Sequence, residues 1–286
     1  METVSQLLQA ATLKLQSVSD SARLDAELLL CAVLHCDRLL FYRSPESLLT
    51  SAQQLEFNAL LTRRLTQEPI AHLIGKKAFW TLSLSVDEST LIPRPDTETL
   101  VQCVLDRALP RNARVLDLGT GTGAVALALA TERPDWMIVA VDNSEAALML
   151  AKKNCKATGV ENVHLVLSHW FDAVPAGKWD AIVSNPPYLA SDDEHLCRGE
   201  LQFEPISALV SEQQGYADLY HIIQQAASFL VESGWVFLEH GYTQAEQVRA
   251  YFMRCGYRHV ASHRDLGGHE RVTIGQWFGV GGCHAG

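Results

Sequence analysis

No run of 18 consecutive apolar residues occurs anywhere in the chain, so the sequence offers no candidate membrane-spanning helix. The opening Met1-Glu2-Thr3-Val4-Ser5 lacks the basic start and apolar core of a secretory signal, and a cytoplasmic location is expected. Cys-x-x-Cys pairs are missing as well. Seven cysteines are scattered at 31, 36, 103, 155, 197, 255 and 283, an odd, dispersed set that reads as free thiols in a reducing compartment. The eleven histidines never adopt His-Glu-x-x-His or a comparable ligand spacing, so no metal is expected. Basic charge is also in short supply, with 23 Lys/Arg against 33 Asp/Glu. Residues 1–80 carry eight of each, and the remainder holds 15 against 25, which accounts for the whole net charge of −10. Duplex-DNA-binding domains usually present a basic face, so this balance argues against DNA as a partner.

What is present begins with a strand-like run, Trp179-Asp180-Ala181-Ile182-Val183-Ser184, closed by Asn185-Pro186-Pro187-Tyr188. Two prolines end a ladder abruptly, because each lacks an N–H and fixes φ. The turn offers two acceptors, the Asn185 side-chain oxygen and the Pro186 carbonyl, and Tyr188 adds a flat ring with a polar tip. Such a set suits a flat group bearing –NH₂. Upstream, Ala113 to Leu118 reads as a short buried strand that runs into Gly119-Thr120-Gly121-Thr122-Gly123 and then into a helix from Ala124 to Thr131. Strand, glycine loop and helix open a nucleotide-binding α/β fold. The spacing is Gly-x-Gly-x-Gly, which counts against a pyrophosphate-binding NAD site, and the absence of Gly-Lys-Ser/Thr excludes a P-loop. Asp142 ends the next strand nineteen residues past Gly123, where a carboxylate is placed to accept ribose hydroxyls. Asp117 precedes the glycines and suits a neighbouring cation. S-adenosylmethionine, with its ribose, ammonium and sulfonium, fits this charge pattern.

The first 70 residues read as helical, with Val4, Leu7, Leu8, Ala11 and Leu15 at helical spacing, then Leu24, Leu28, Cys31, Ala32 and His35. A third helix is expected to start at Thr50-Ser51 and to run through Leu55, Ala59, Leu60 and Leu65, stopping before Pro69. Phe79 to Val86 alternates with period two and predicts a short β-ribbon. The proline-flanked Arg94 in Leu91–Glu98 forms a stiff loop whose charged tip suits the wall of a site. Strands are expected near 114–118, 137–142, 163–168, 180–184, 234–239, 257–263 and 271–276. Helices are expected between them, except in the last pair, which is joined through Gly267-Gly268 and should be antiparallel. The predicted fold class is α/β: a mainly parallel seven-stranded sheet covered on both faces, plus a small N-terminal helical bundle joined by the ribbon. The expected divisions are 1–75, 76–98, 99–278 and a frayed tail at 279–286. Gly119, Asp142, Trp170 and Asn185 all follow successive strands, so one sheet edge collects them.

Asp117 to Gly123, Asp142 and Asn185-Pro186-Pro187-Tyr188 resemble the successive motifs of Rossmann-like class I S-adenosylmethionine-dependent amino methyltransferases. Glu68 to Leu73, Leu91 to Glu98, Phe203-Glu204-Pro205 and Glu270 to Thr273 narrow the resemblance to bacterial release-factor glutamine methyltransferases (PrmC/HemK type). It spans roughly residues 4 to 276. The resemblance implies N5-methylation of the glutamine in the Gly-Gly-Gln loop of class I bacterial-type peptide-chain release factors, hence a role in translation termination, by a monomeric enzyme. It implies that Asn185 Oδ1 and the Pro186 carbonyl accept from the amide N–H bonds, that Tyr188 packs on the amide plane and that Pro187 completes the substrate turn. Asp117, Gly119, Thr120, Gly121, Thr122, Gly123, Asp142, Trp170 and Asn185 are the implied cofactor-binding residues. The helical bundle reads as a docking module for the protein substrate. One departure stands out: His169 occupies a position where related enzymes commonly carry an acid for the adenine amino group. An adenine-N6 DNA methyltransferase is the alternative that the Asn-Pro-Pro-Tyr turn leaves open, although no insertion for reading flipped bases is evident.

Overall fold

The structure is a computed structural model that describes residues 2–197 and 199–279. The tail expected at 279–286 lies, apart from Gly279, outside the described residues. Two compact units are present. One comprises the chain up to Lys76 together with Glu194–Phe203, and the other comprises Lys77–Asp193 together with the chain from Glu204 onward.

The first unit holds α1 (Val4–Leu15), α2 (Ala22–Leu34), α3 (Leu39–Arg43), α4 (Ser51–Leu65) and α5 (Ile70–Ile74). Two capping boxes start α1 and α4. Thr3 and Thr50 accept from the backbone N–H of Gln6 and Gln53, whose side chains reach back to the cap N–H, satisfying donors that a helix start leaves orphaned. The face of α1 predicted from spacing is the buried one. The faces of α2 and α4 are not. Leu24 and His35 are exposed, and α2 instead buries Ala22, Asp25, Ala26, Glu27, Leu29, Leu30 and Val33. In α4 the buried residues are Phe57, Leu61 and Arg64, while Leu55 is exposed. The reason is electrostatic. Asp25 accepts from Arg64 Nε at 2.8 Å, and Glu27 pairs with Arg23 at 2.7 Å and Arg38 at 2.6 Å. Charges neutralised in this way can enter a core that hydrophobic periodicity alone would deny them. Arg64 also donates to the carbonyls of Gln67 and Glu68 and pairs with Glu200 at 3.2 Å, tying the Glu194–Phe203 segment to the unit's own helices.

The second unit is a layered sheet. A two-stranded ribbon, β1 (Lys76–Phe79) with β2 (Leu82–Ser85), precedes α6 (Glu98–Leu105). Then follow β3 (Arg114–Leu118), α7 (Ala124–Glu132), β4 (Met137–Asp142), α8 (Glu145–Thr158), β5 (Val163–Leu167), β6 (Trp179–Ser184), α9 (Glu212–Gly215), α10 (Ala217–Phe229), β7 (Leu230–Glu239), α11 (Ala245–Arg254), β8 (Arg258–Arg264) and β9 (Glu270–Gln276). The seven-stranded sheet has the order β5-β4-β3-β6-β7-β9-β8. Its first five strands are parallel, and β9 runs antiparallel between β7 and β8. The expected helix between β5 and β6 is absent among the described residues, and turns span the gap. Pro175 and Gly177 punctuate that short stretch and leave no room for a helical run.

Alternation along the strands builds two cores. Val115, Ile138, Ala140, Ala181, Val183 and Phe237 face α6 and α7, while Leu116, Leu118, Val139, Val141, Ile182, Val236 and Leu238 face α10 and α11. Strands buried on both faces are the signature of a parallel sheet between helical layers. The strand order reverses between β3 and β6, so the connections leaving their carboxyl ends run to opposite faces of the sheet and open a crevice.

The paired charges of the helical unit yield a stability prediction. Arg64→Ala leaves Asp25 buried without its partner, which should lower the unfolding free energy of this unit by about 3–5 kcal/mol. Urea denaturation of the full chain, followed by helical circular dichroism, measures this; a loss below about 1 kcal/mol, the scale of an exposed pair, contradicts it.

Candidate functional site

The crevice at the ends of β3, β4 and β6 holds a cavity of about 280 Å³, close to the lower end of the range for small-molecule pockets. The glycine loop forms its floor. Gly119, Gly121 and Gly123 all have positive φ, and the N–H groups of Gly119 and Thr120 both donate to the Val141 carbonyl at 2.9 Å. Gly119 sits at φ 71°, where glycine is favoured, and a Cβ there would also press within 3.3 Å of the Trp170 ring. Gly123 caps α7 in the left-handed region.

Two carboxylates flank this loop, Asp117 buried and Asp142 half-buried. Asp142 accepts from Gly121 N at 2.8 Å and Ser144 N at 3.0 Å. Burial raises its pKa, with these backbone bonds opposing the rise. Each oxygen keeps lone-pair capacity toward the cavity. Asp117 accepts from the Thr120 hydroxyl at 2.6 Å. Burial pushes its carboxyl up to about 7; the Thr120 bond works the other way and the nearby Asp142 charge adds to the rise. A carboxylate this costly to ionise is one that a cation would complete. Thr122 is buried, and its carbonyl accepts from Asn154 Nδ2 at 2.9 Å, which anchors the far end of the loop. Trp170 sits at φ 44°, a rare conformation for a bulky residue, with its indole N–H on Asp218 at 3.2 Å. His169 lines the cavity and is exposed, 3.6 Å from Asp172.

Asn185 follows the end of β6, where Ser184 Oγ donates to the Leu118 carbonyl at 2.7 Å and locks the two strand ends together. Asn185 Nδ2 donates to Thr97 Oγ1 at 3.2 Å. Its Oδ1 is buried and has no hydrogen-bond partner among the described residues, although the residue lines the cavity. A buried acceptor left unpaired costs about 1–3 kcal/mol, so its natural explanation is a donor that arrives with a ligand. Asn185 and Pro187 share the cavity wall with Asp117, Gly119, Thr120, Gly121, Thr122, Asp142 and Trp170. Three of the sequence-derived residues are not on that wall. Gly123 turns away into the start of α7, Pro186 is buried, and the Tyr188 hydroxyl donates to Glu239 Oε1 at 3.4 Å, beside the second core.

The proline-rich loop also lines the cavity through Pro93, Arg94 and Thr97, as do Pro205, Ser207 and Ala208. Arg94 pairs with Glu204, whose other oxygen accepts from Ile92 N at 3.3 Å. Sequence reasoning missed Thr97 and Glu239. Glu239 ends β7 as Asp117 nearly ends β3, and a charge at the carboxyl end of a buried strand was the available signal. Burial pushes the Glu239 carboxyl up to about 7, opposed by the Thr97 hydroxyl, Arg271 and Tyr188, with Asp96 adding to the rise.

The likenesses of the chain agree with this geometry. A family described as the PrmC N-terminal domain matches residues 6–75, and one described as the Methyltransferase small domain matches residues 95–200. A release factor glutamine methyltransferase of Shewanella oneidensis is 47% identical over 277 residues, covering 97% of each chain. Its namesake from Escherichia coli is 48% identical over 271 residues, covering 95% of this chain and 98% of that one. Among solved structures, a methyltransferase from Pyrococcus furiosus aligns with TM-score 0.54 at 18% identity, over 76% of this chain and 97% of that one, which bears on the fold alone. With near-complete coverage at this identity, the chain belongs to the release factor glutamine methyltransferase family and uses S-adenosylmethionine as its cofactor.

Proposed function

We propose that this chain methylates the side-chain nitrogen, N5, of the glutamine in the Gly-Gly-Gln loop of class I bacterial peptide-chain release factors. The observation that carries the reading is the buried, unpartnered Asn185 Oδ1 in the cavity wall, with the other edge of its amide committed to Thr97. When bound, S-adenosylmethionine supplies an electrophilic methyl group on its sulfonium. The residues present fit it: Asp142 has acceptor capacity for ribose hydroxyls, Asp117 is a buried carboxyl that a cation would stabilise, and Trp170 offers a flat surface for adenine.

A glutamine amide nitrogen is a weak nucleophile because its lone pair is delocalised into the carbonyl, a resonance reflected in a rotation barrier of ~18–20 kcal/mol. Asn185 Oδ1 and the Pro186 carbonyl, accepting from its two N–H bonds, would orient the lone pair and favour charge developing on nitrogen. The bound cofactor would supply the methyl group, while Asn185 Oδ1 and the Pro186 carbonyl would hold the nitrogen that receives it. The methylated nitrogen then sheds a proton, so no strong base is needed beforehand. Tyr188 stiffens the turn through Glu239, and its backbone carbonyl accepts from Gln244 Nε2 at 3.1 Å. The helical unit reads as the grip on the protein substrate, with the protein acting as a monomer in the cytoplasm and DNA playing no part.

The direct test is incubation of a folded release factor with labelled S-adenosylmethionine, followed by peptide mapping. Label on the one loop glutamine is expected, and a free peptide of that loop should be a much poorer substrate, because remote contacts supply positioning energy. Label on adenine in DNA, or none on the factor, overturns the reading.

Asn185→Ala should cut turnover by about 10²–10³, the usual cost of losing one preorganised hydrogen bond at a reacting group. S-adenosylmethionine affinity measured by calorimetry should stay near wild type, and unimpaired turnover would remove Asn185 from the mechanism.

Cofactor affinity should depend on pH through Asp117. Its carboxyl is held up to about 7, so raising the pH through that value creates the anion that attracts the cofactor's positive charge. Affinity should therefore tighten between about pH 5.5 and 7.5 and then level off, while this carboxyl's contribution to the stability of the free protein is lost as the pH rises from 3.8, its ordinary value, through about 7. Asp117→Asn should bind more weakly and lose the dependence; an unchanged pH profile in this variant contradicts the assignment.

A further inference from the structure

We infer that Gln244 is a positioning residue for the Asn-Pro-Pro-Tyr turn: its amide clamps the backbone where the chain leaves the turn, and so sets where Asn185 Oδ1 and the Pro186 carbonyl stand. The inference rests on the glutamine-amide reading above. The turn is hard to anchor from within. Pro186 and Pro187 carry no N–H, so two of its four residues cannot be held by donating to a neighbour. On the entry side, β6 and the Ser184 hydroxyl fix the chain. The exit side begins at Tyr188, whose backbone carbonyl takes its donor from a distant segment.

Gln244 is that donor. The residue is 6% exposed at the start of α11. Its Nε2 donates to the Tyr188 carbonyl at 3.1 Å and reaches the Gly215 carbonyl at 3.4 Å. On the opposite edge, Oε1 accepts from Gly241 N at 2.8 Å. These partners allow one orientation of the amide. Reversed, it would set N–H against N–H at Gly241 and oxygen against two carbonyls. Glycine permits the approach at both ends. A Cβ on Gly241 would lie 3.0 Å from Gln244 Oε1, and one on Gly215 would run into the Tyr188 carbonyl oxygen. Gly215 also closes a stretch in which Gln213, Gln214 and Gly215 have φ of 53°, 60° and 84°, a conformation that glutamine keeps only where contacts hold it. Just past the turn, Leu189 N donates to the Leu209 carbonyl at 2.9 Å, and Ser211 N donates to the Leu189 carbonyl at 3.0 Å. The amide thus joins the turn, the end of α9 and the loop at 241–244 at one buried point.

Gln244→Met keeps the length of the side chain and removes both polar atoms. With folded release factor and S-adenosylmethionine at saturation, it should lose about 10- to 100-fold in kcat, the scale of a misplaced reacting group. Its calorimetric cofactor affinity should stay close to wild type, because Gln244 is not on the cavity wall. Gln244→Glu separates the hydrogen bond from packing. A carboxyl has the shape of the amide; protonated, it can donate to the Tyr188 carbonyl and accept from Gly241, whereas ionised it can only accept. Its kcat, taken as a ratio to wild type at each pH, should rise several-fold between about pH 9 and pH 6, as burial against carbonyl oxygens favours the protonated form. The ratio for Gln244→Met should stay flat. Glu212, Glu239, His240 and Glu246, on the segments that meet at the amide, are shared by wild type and variants, so the ratio cancels their titration. Wild-type turnover in Gln244→Met overturns the inference, as does an equal loss of turnover and cofactor affinity, which would mark a general structural role. A Gln244→Glu ratio that does not rise on acidification also overturns it, and this arm decides alone if Gln244→Met fails to fold. If instead the wild-type protein leaves the release factor unmethylated, the underlying reading fails, an outcome separable from failure of the clamp.

Discussion

An acceptor buried without a donor is the constraint on which the site depends. Asn185 Oδ1 is held in that state by what surrounds it. β6 ends at Ser184, Pro186 and Pro187 bring no N–H groups to the turn, and the donor edge of the same amide is spent on Thr97. A protein that needed only to close a strand would satisfy this oxygen or expose it to water. Leaving it unpaired costs about 1–3 kcal/mol, a cost that a substrate amide offsets when it binds. Recognition and alignment of the reacting nitrogen then come from the same interaction.

The electrostatics of the glycine loop follow a similar logic. Asp117 and Asp142 lie close enough for the charge of one to raise the carboxyl of the other, an arrangement unfavourable in the free protein and suited to a positively charged ligand. The cavity therefore has two unfulfilled demands, for a cation beside β3 and for an N–H donor beside β6. Parallel topology places them together, because the two strands are neighbours whose carboxyl ends lie side by side.

Much of this was legible in the sequence, and what escaped did so for physical reasons. The strands, the glycine loop and the Asn-Pro-Pro-Tyr turn are continuous in sequence, so local pattern reveals them; even the antiparallel end of the sheet was signalled by Gly267-Gly268. The buried faces of α2 and α4 were misread because Asp25, Glu27 and Arg64 enter the core as ion pairs, and periodicity counts a charge as a surface residue. The connection between β5 and β6 carries no helix, since Pro175 and Gly177 punctuate a short span. Thr97 and Glu239 were missed because their contacts, with Asn185 and Tyr188, join segments 88 and 51 positions apart and exist only in three dimensions. The Asn-Pro-Pro-Tyr turn alone left adenine open as the amino group served; relatives matching nearly the whole chain carry the glutamine name instead.

The most direct measurement of the central claim is a crystal structure with S-adenosylhomocysteine and a glutamine-bearing release-factor substrate bound. The account predicts the glutamine side-chain nitrogen at about 2.7–3.2 Å from Asn185 Oδ1, with Asn185 Nδ2 still on Thr97. An Asn185 Oδ1 that instead bonds to a protein group or an ordered water, with the glutamine amide seated elsewhere, would contradict it.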